Sequence, residues 1–491
     1  MQLRGLDIMA NISFLQTKFN LINEYYELEQ MCDQLTGELL TLEELSQLDS
    51  CLFYVDNLNF LYIYVINELI KQGYKSTTEK TPKRHEFSFA YNAGNCANLT
   101  FKNDLGVIML VNFKNKFGVE FGSVYENVEL LEYAHERGRN KNSLGADAYA
   151  EFLLTIFRPK ADPNANAKLM REDFVELPFI PEFEEAKRNC AGFQYAERGE
   201  YYNLYNYDII SSYPSQLTCN TPTGAPKLFE NLEDVPASYF KIIQFAYADL
   251  ELMPNKFDFI KSGNFDTITL TEHLFELFKE TYKTSFVKIL KIWAFKTVKG
   301  RFNKFISRNI IEGKICAKNK RIAKYNKFIA NSLTGYFGRR TTSYKSVINN
   351  KLQVEQVEHE IPPVYLPVYL YVTGKAKAEF INTLNNNYAN VVYANTDGFF
   401  AREPIALERL NWDKFQELGS YKLDEVYAHI YIDGVNAYSA LTAQGAIDNC
   451  ISGMTINDLN NVEQFKNKQF VYTINVASGG KIKQVTATQL D

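Results

Sequence analysis

The stretch VVYANTDGFFA, residues 391–401, decides how this chain is read. Two runs of β-forming residues flank Asn395-Thr396-Asp397-Gly398, and Asp-Gly between apolar strands is a strong hairpin signal. The turn would lift one carboxylate, Asp397, to the tip of a hairpin with buried flanks. A lone turn aspartate ordinarily serves only the turn. A second acid changes that reading. Asp208 ends the aromatic β-run in YYNLYNYDIISSYPSQL, residues 201–217, and a lysine-rich helix lies between the two acids in sequence. Two carboxylates converging on divalent metal, beside cations able to hold phosphates, are the equipment of phosphoryl or nucleotidyl transfer.

The lysine-rich stretch is KNKRIAKYNKFIANSLTGYFGRR, residues 318–340. Lys320, Lys324, Lys327 and Asn331 share one helical face, while Ile322, Tyr325, Phe328 and Ile329 supply an opposing apolar side. Gly335 offers a stop, and a row of ammonium groups and an amide would suit a triphosphate. After Asp208, Pro214 is expected to keep Tyr213 out of helical geometry and to fix the next turn.

The net charge of −5 argues weakly against a polyanionic partner, but its distribution argues for one. Between Lys283 and Lys345 stand 12 Lys and 5 Arg against one acid, Glu312, a local charge of +16. Such a one-sided block is better read as a polyanion footprint than as a solvated face. Within it, Trp293, Phe295, Phe302 and Phe305 alternate with cations, which suits base stacking and core packing equally well. The seven cysteines are scattered without a Cys-x-x-Cys pair, so reduced thiols in a cytoplasm are expected, and neither a disulfide framework nor a zinc site. No apolar run reaches membrane-spanning length and no secretion signal opens the chain, so a soluble protein is expected.

Along the chain, residues 1 to about 50 read as acidic helices, one in FNLINEYYELEQMCDQL and one in TLEELSQL. CLFYV reads as a strand leading to an apolar helix that ends near Gly73, and 86–122 as a small β-sheet. ENVELLEYAHERGRNKNS and ADAYAEFLLTIF read as helices, RPKADPNANAKLMRED as a linker, and LTEHLFELFKETY as a helix. YKSVINNKLQVEQV, residues 344–357, reads as a hairpin, and VYLPVYLYVTGKAKAEFINTL as an extended segment followed by a helix. Residues 426–491 read as short strands closing on a hairpin at Gly479-Gly480.

Three motifs in this order resemble the family B DNA polymerases, above all the protein-primed polymerases of small bacteriophages. DIISSYPSQL resembles the first palm motif, D-x-x-S-L-Y-P-S; KFIANSLTG resembles the fingers motif, K-x-x-x-N-S-x-Y-G; YANTDG resembles the second palm motif, Y-x-D-T-D-S. The resemblance implies an α+β right-hand polymerase with palm, fingers and thumb, behind a degenerate RNase H-like 3′–5′ exonuclease domain. The implied boundaries are 1–188 for the exonuclease-like domain and 189–491 for the polymerase. Within the latter, the palm would span about 195–265 and 361–425, an insertion 266–310, the fingers 311–340, a hairpin insertion 341–360 and the thumb 426–491. It also implies roles. Asp208 and Asp397 would hold magnesium, with manganese as the alternative, helped by the Ile209 carbonyl. Ser211, Ser212, Tyr213, Lys314, Lys320, Lys327, Asn331 and Asn395 would serve the nucleotide, with Tyr213 excluding a 2′-hydroxyl. Lys324, Arg339, Arg340 and Tyr438 would serve DNA. The implied partners are primer-template DNA, dNTPs and a priming (terminal) protein, for a monomer working in the cytoplasm of an infected bacterium.

Several positions depart from the family pattern. Asn395 replaces the first acid of the second palm motif, Thr334 replaces the fingers tyrosine, Asn436-Ala437-Tyr438 replaces Lys-x-Tyr, and Asn189-Cys190-Ala191-Gly192 replaces Y-x-G-G. Leu61 stands where the second exonuclease motif has an aspartate, Ser143 stands where a tyrosine precedes Asp147, and only Asp7 stands near the N-terminus. One acid cannot assemble a two-metal nuclease, so proofreading is expected to be lost. The rival reading is a pseudo-polymerase that binds DNA or a priming protein without catalysis.

Overall fold

The computed structural model describes residues 172–260, 265–339, 365–406 and 418–451 continuously. It also describes the shorter stretches 12–22, 25–33, 52–55, 69–77, 82–92, 95–102, 108–111, 113–114, 144–156, 342–348, 354–360, 455–457, 461–467, 471–478 and 481–487, with residues 133, 136–137, 139 and 459. The chain forms two compact units: Met1–Asp147 with Arg340–Pro362 and Thr473–Thr486, and Ala148–Arg339 with Pro363–Tyr472 and Ala487–Asp491.

In the first unit the expected N-terminal helix is absent. Ile12–Ile22 and Tyr25–Asp33 are strands, paired antiparallel, and the former also pairs in parallel with Leu52–Val55. The apolar residues of FNLINEYYELEQ satisfy both helical and strand spacing over so short a run. The neighbouring strands, invisible to a local reading, decide between them. TLEELSQL lies outside the described residues. The expected small sheet is present as Glu86–Asn92, Asn95–Lys102 and Ile108–Val111. The hairpin read in 344–357 forms from Thr342–Ile348 and Val354–Glu360, and its first strand pairs with Glu86–Asn92.

The second unit is organised by a seven-stranded antiparallel sheet. Its order is Ile447–Ile451, Ala437–Thr442, Tyr421–Gly434, Gly199–Ile209, Gly398–Ala401, Val391–Asn395, Gln194–Ala196. Alternate side chains of the central strands, among them Leu204, Val392, Phe400, Tyr427, Ile430 and Ile432, form one buried cluster. A four-stranded sheet, Asn220–Phe229, Phe286–Lys299, Phe240–Ala248 and Phe265–Thr271, follows the Asp208 strand in sequence. Here the ambiguous aromatics resolve to core. Trp293, Phe295, Phe302 and Phe305 are all buried, with Trp293 edge-on to Phe183 at 5.5 Å and Phe302 stacked on Phe152 at 4.5 Å.

The lysine face is a helix, Lys320–Phe337, started by Asn319, whose side chain accepts a hydrogen bond from the Ile322 amide at 2.8 Å. Lys320, Lys324 and Lys327 are exposed while Ile322, Tyr325 and Ile329 are buried, as the periodicity predicts. Gly335 does not end it; the cap is Gly338, one turn of apolar burial later. Before it runs a π-helical segment, Ser307–Ile315, tied down by buried Asn326, which donates to the carbonyls of Gly313 at 2.7 Å and Ile322 at 2.9 Å. The long helix Leu366–Asn386 then leads into the Asp397 hairpin, its Pro367 tolerated in the first turn where no amide donor is needed.

Candidate active site

Strand pairing brings the two acids together. Asp208 lies opposite Gly398 in the antiparallel ladder, and the Ile209 amide donates to the Asp397 carbonyl at 3.0 Å. Tyr207 stacks on Phe399 at 5.3 Å behind them, fixing the strand ends from the core side. At the hairpin tip Thr396 takes a φ of +61°, and the Asp397 amide bonds back to the Asn395 carbonyl at 2.7 Å. This tight turn rests on Gly192, where a Cβ would come within 2.7 Å of Thr396 Oγ1.

The chain leaves Asp208 through a strained residue: Ser211 adopts left-handed geometry, φ +52° and ψ +54°, although it is not glycine. That bend starts a helix, Ser212–Leu217. Tyr213 is helical here, against the expectation set by Pro214. The proline falls in the first turn, where its missing N–H costs nothing, and the short helix needs no ideal geometry before it.

These elements enclose a cleft of about 360 Å³ lined by Asp208, Ile209, Ser211, Ser212, Tyr213, Lys327, Asn331, Thr334, Gly335, Tyr369, Thr373 and Asp397. Eight of the lining residues are ones the sequence singled out for metal or nucleotide. Lys314 joins them indirectly, its ammonium 3.3 Å from Ser211 Oγ. Lys320 and Lys324 lie further along the exposed helix face and do not line the cleft. Asn395 does not enter it either. Its amide donates to Asn436 Oδ1 at 2.7 Å and its oxygen accepts from Gln194 at 3.3 Å and Thr396 at 3.1 Å, so it knots three loops together. Tyr438 packs against Tyr393 and Phe400 over the sheet core, and Arg339 stacks over Tyr336 at 4.6 Å. Arg340 lies outside the described residues.

The electrostatics follow from burial. Desolvation raises the Asp208 carboxyl, against the pull of Lys422 and Lys327. Desolvation, reinforced by the charge of Asp208, pushes Asp397 up to about 6, again against Lys327. Burial, with Tyr369 and Asp397 nearby, pushes the Tyr213 hydroxyl up to about 12. Two acids whose ionised forms are disfavoured by burial make a site short of positive charge. The donor set is oxygen only, which fits a hard divalent cation.

Two features were missed by the sequence reading. Tyr369 and Thr373, one turn apart on the Leu366–Asn386 helix, line the cleft, and Gly338 leaves room for the Tyr369 ring, since a Cβ there would meet it at 2.2 Å. Their four-residue spacing was the available signal. Lys422 sits opposite Asp208 in the sheet register with its ammonium 3.6 Å from the carboxylate. No local signal marks it.

Residues 190–410 match the family model described as DNA polymerase type B, organellar and viral. The DNA polymerase of Streptococcus phage Cp-1 is 28% identical over 219 residues, covering 39% of this chain and 38% of that protein's length. A solved structure of Phi29 DNA polymerase with primer-template DNA and incoming nucleotide aligns over 97% of this chain and 99% of that one, with a TM-score of 0.78 at 16% identity. The chain carries the fold of Phi29 DNA polymerase. Phi29 DNA polymerase with single-stranded DNA aligns over the same share with a TM-score of 0.76 at 17% identity. The resemblance drawn from the three motifs therefore extends across the α+β fold, far beyond the residues that suggested it. Among the described residues, no helix is long and apolar enough to cross a membrane.

Proposed function

We propose that the chain is a viral DNA-directed DNA polymerase that extends a primer or a priming-protein hydroxyl with dNTPs. The observation that carries this is the pairing of Asp208 with the Asp397 turn at the floor of a cleft that Lys327, Asn331 and Tyr213 also line. Asp208, Asp397 and the Ile209 carbonyl would hold two divalent cations, which supply activation of the attacking hydroxyl and charge neutralisation at the leaving group. Lys327 meets the triphosphate from the helix, and Asn331, one turn further on, faces the nascent base pair. Tyr213 lies under the sugar and excludes a 2′-hydroxyl. Lys314 reaches the same phosphates across Ser211.

Domain boundaries follow the proposed roles: palm about 195–265 and 361–425, fingers 311–340, thumb 426–491. The N-terminal unit is read as an exonuclease-like scaffold without proofreading. Asp147 is 1% exposed, which supports a structural role for this acid. A priming protein as partner and a working place in the infected host's cytoplasm belong to the same proposal.

The test is dNTP incorporation on a primed template with Mg²⁺ or Mn²⁺, with Asp397→Ala beside the wild type. Incorporation that Asp397→Ala abolishes is expected. Salt-sensitive DNA binding with no incorporation would establish the pseudo-polymerase reading, which the diversion of Asn395 to Asn436 favours.

A further inference from the structure

Lys422 occupies a position that the motifs do not account for. The strand register sets it directly across from Asp208. Its ammonium is 3.6 Å from Asp208 Oδ2 and 2.5 Å from Asp424 Oδ1. Asp424 is the residue that the register skips between Leu423 and Glu425, and that bulge leaves its carboxylate beside the Lys422 ammonium. The lysine thus stands between two acids, one that lines the cleft and one that does not. Its side chain is 40% exposed.

The charge balance gives this placement a consequence. The cleft holds two acids, and two cations, Lys422 and Lys327, act on Asp208. A divalent ion on Asp208 would share that carboxylate with an ammonium group already within ion-pair distance, and the two cations repel. We infer that Lys422 is an internal counter-ion, shared by Asp424 and Asp208 in the metal-free cleft and left to Asp424 alone when a divalent cation binds, and that it thereby sets the site's metal affinity. This rests on the two-acid metal reading above. Charges a few ångströms apart in a partly hydrated cleft change an equilibrium by about tenfold. Asp424 limits the penalty by giving the ammonium a second acceptor. Lys422 is a positioning residue here and touches no reacting atom.

The test is direct Mn²⁺ binding to the whole chain without nucleotide, read from the electron paramagnetic resonance signal of free Mn²⁺. Lys422→Met should bind Mn²⁺ about tenfold more tightly than wild type, and Lys422→Arg should match wild type. Lys422→Gln repeats the neutral substitution should the methionine variant fold poorly. Asp424→Asn should weaken binding in the wild-type background, and much less in a neutral Lys422 background. Neutral variants that bind Mn²⁺ no more tightly than wild type overturn the inference while leaving the polymerase reading intact, provided Asp397→Ala still loses binding. Wild-type affinity in Asp397→Ala overturns the two-acid reading itself, and this inference with it.

Discussion

Asp397 is held at an energetic cost that the metal-free protein reveals with pH. Its carboxyl is raised from an ordinary 3.8 to about 6 by burial and by Asp208. Between those values the folded chain binds more protons than the unfolded chain, so stability falls as pH rises through the window, and the penalty is complete above it. Asp397→Asn should therefore raise the metal-free melting temperature at pH 7.5 and leave it unchanged near pH 3. The gain should be on the order of 1–2 kcal/mol after allowing for the cleft's partial hydration. Identical melting curves at both pH values would refute the assignment, and saturating Mn²⁺ should reverse the order at pH 7.5. Tyr213→Val, which opens the cleft floor, should raise ribonucleotide incorporation relative to dNTPs, measured on one template. Asp397 was legible in the sequence because turn chemistry is local, whereas the role of Tyr213 was implied only by the motif resemblance and its local conformation was misjudged. Lys422 was not legible, because its neighbour Asp208 is brought to it only by the register of a sheet.

The Asp397 hairpin works as an element because another loop supports it. Gly192 is packed against the turn: a Cβ would sit 2.7 Å from Thr396 Oγ1. Gly192→Ala should push the turn away from Asp208 and cut incorporation by about a hundredfold, since misplacements of about an ångström at a reacting centre cost that much. The double variant Gly192→Ala/Thr396→Gly should recover most of it, because glycine removes the clash and suits the φ of +61°. Primer extension beside circular dichroism checks this; a double variant as inactive as the single would sink the contact. Helix periodicity made the Lys320–Phe337 face legible in the same way that turn chemistry made the hairpin legible. The π-helical segment before it was not, because Asn326 holds it from the following helix, outside any local window. The N-terminal strands escaped for a related reason: their apolar spacing was ambiguous, and only the partners of the sheet select extended chain.

At the scale of the molecule, a chain of net charge −5 carries a +16 block, and the structure sorts that block by residue type. Two arginines pair with acids, Arg301 with Asp173 and Arg308 with the buried Glu151, whereas Lys283, Lys288, Lys296, Lys299, Lys304, Lys318, Lys320, Lys324 and Lys327 are exposed. Guanidinium pairs tie the unit together, and ammonium groups on flexible stems face solvent. The buried aromatics between them remove base stacking by those rings from the account, so affinity for DNA should rest on phosphates and be independent of sequence. A 3′-labelled single strand should accordingly bind and remain undegraded, since Asp147 is 1% exposed. Affinity should fall steeply with salt, with a slope set by the number of phosphates neutralised. Lys320 and Lys324 lie outside the cleft on the exposed helix face, so replacing both with alanine should lower the salt slope by about two while leaving the dNTP half-saturation little changed. Lys241 supplies the control: its ammonium is committed to Glu272 at 2.8 Å, so Lys241→Ala should leave the slope as it is. Fluorescence anisotropy of a labelled duplex at several salt concentrations measures all three. Equal slopes for the wild type and the helix double variant would mean that the lysine face points at solvent alone, and that DNA is held by some other part of the block.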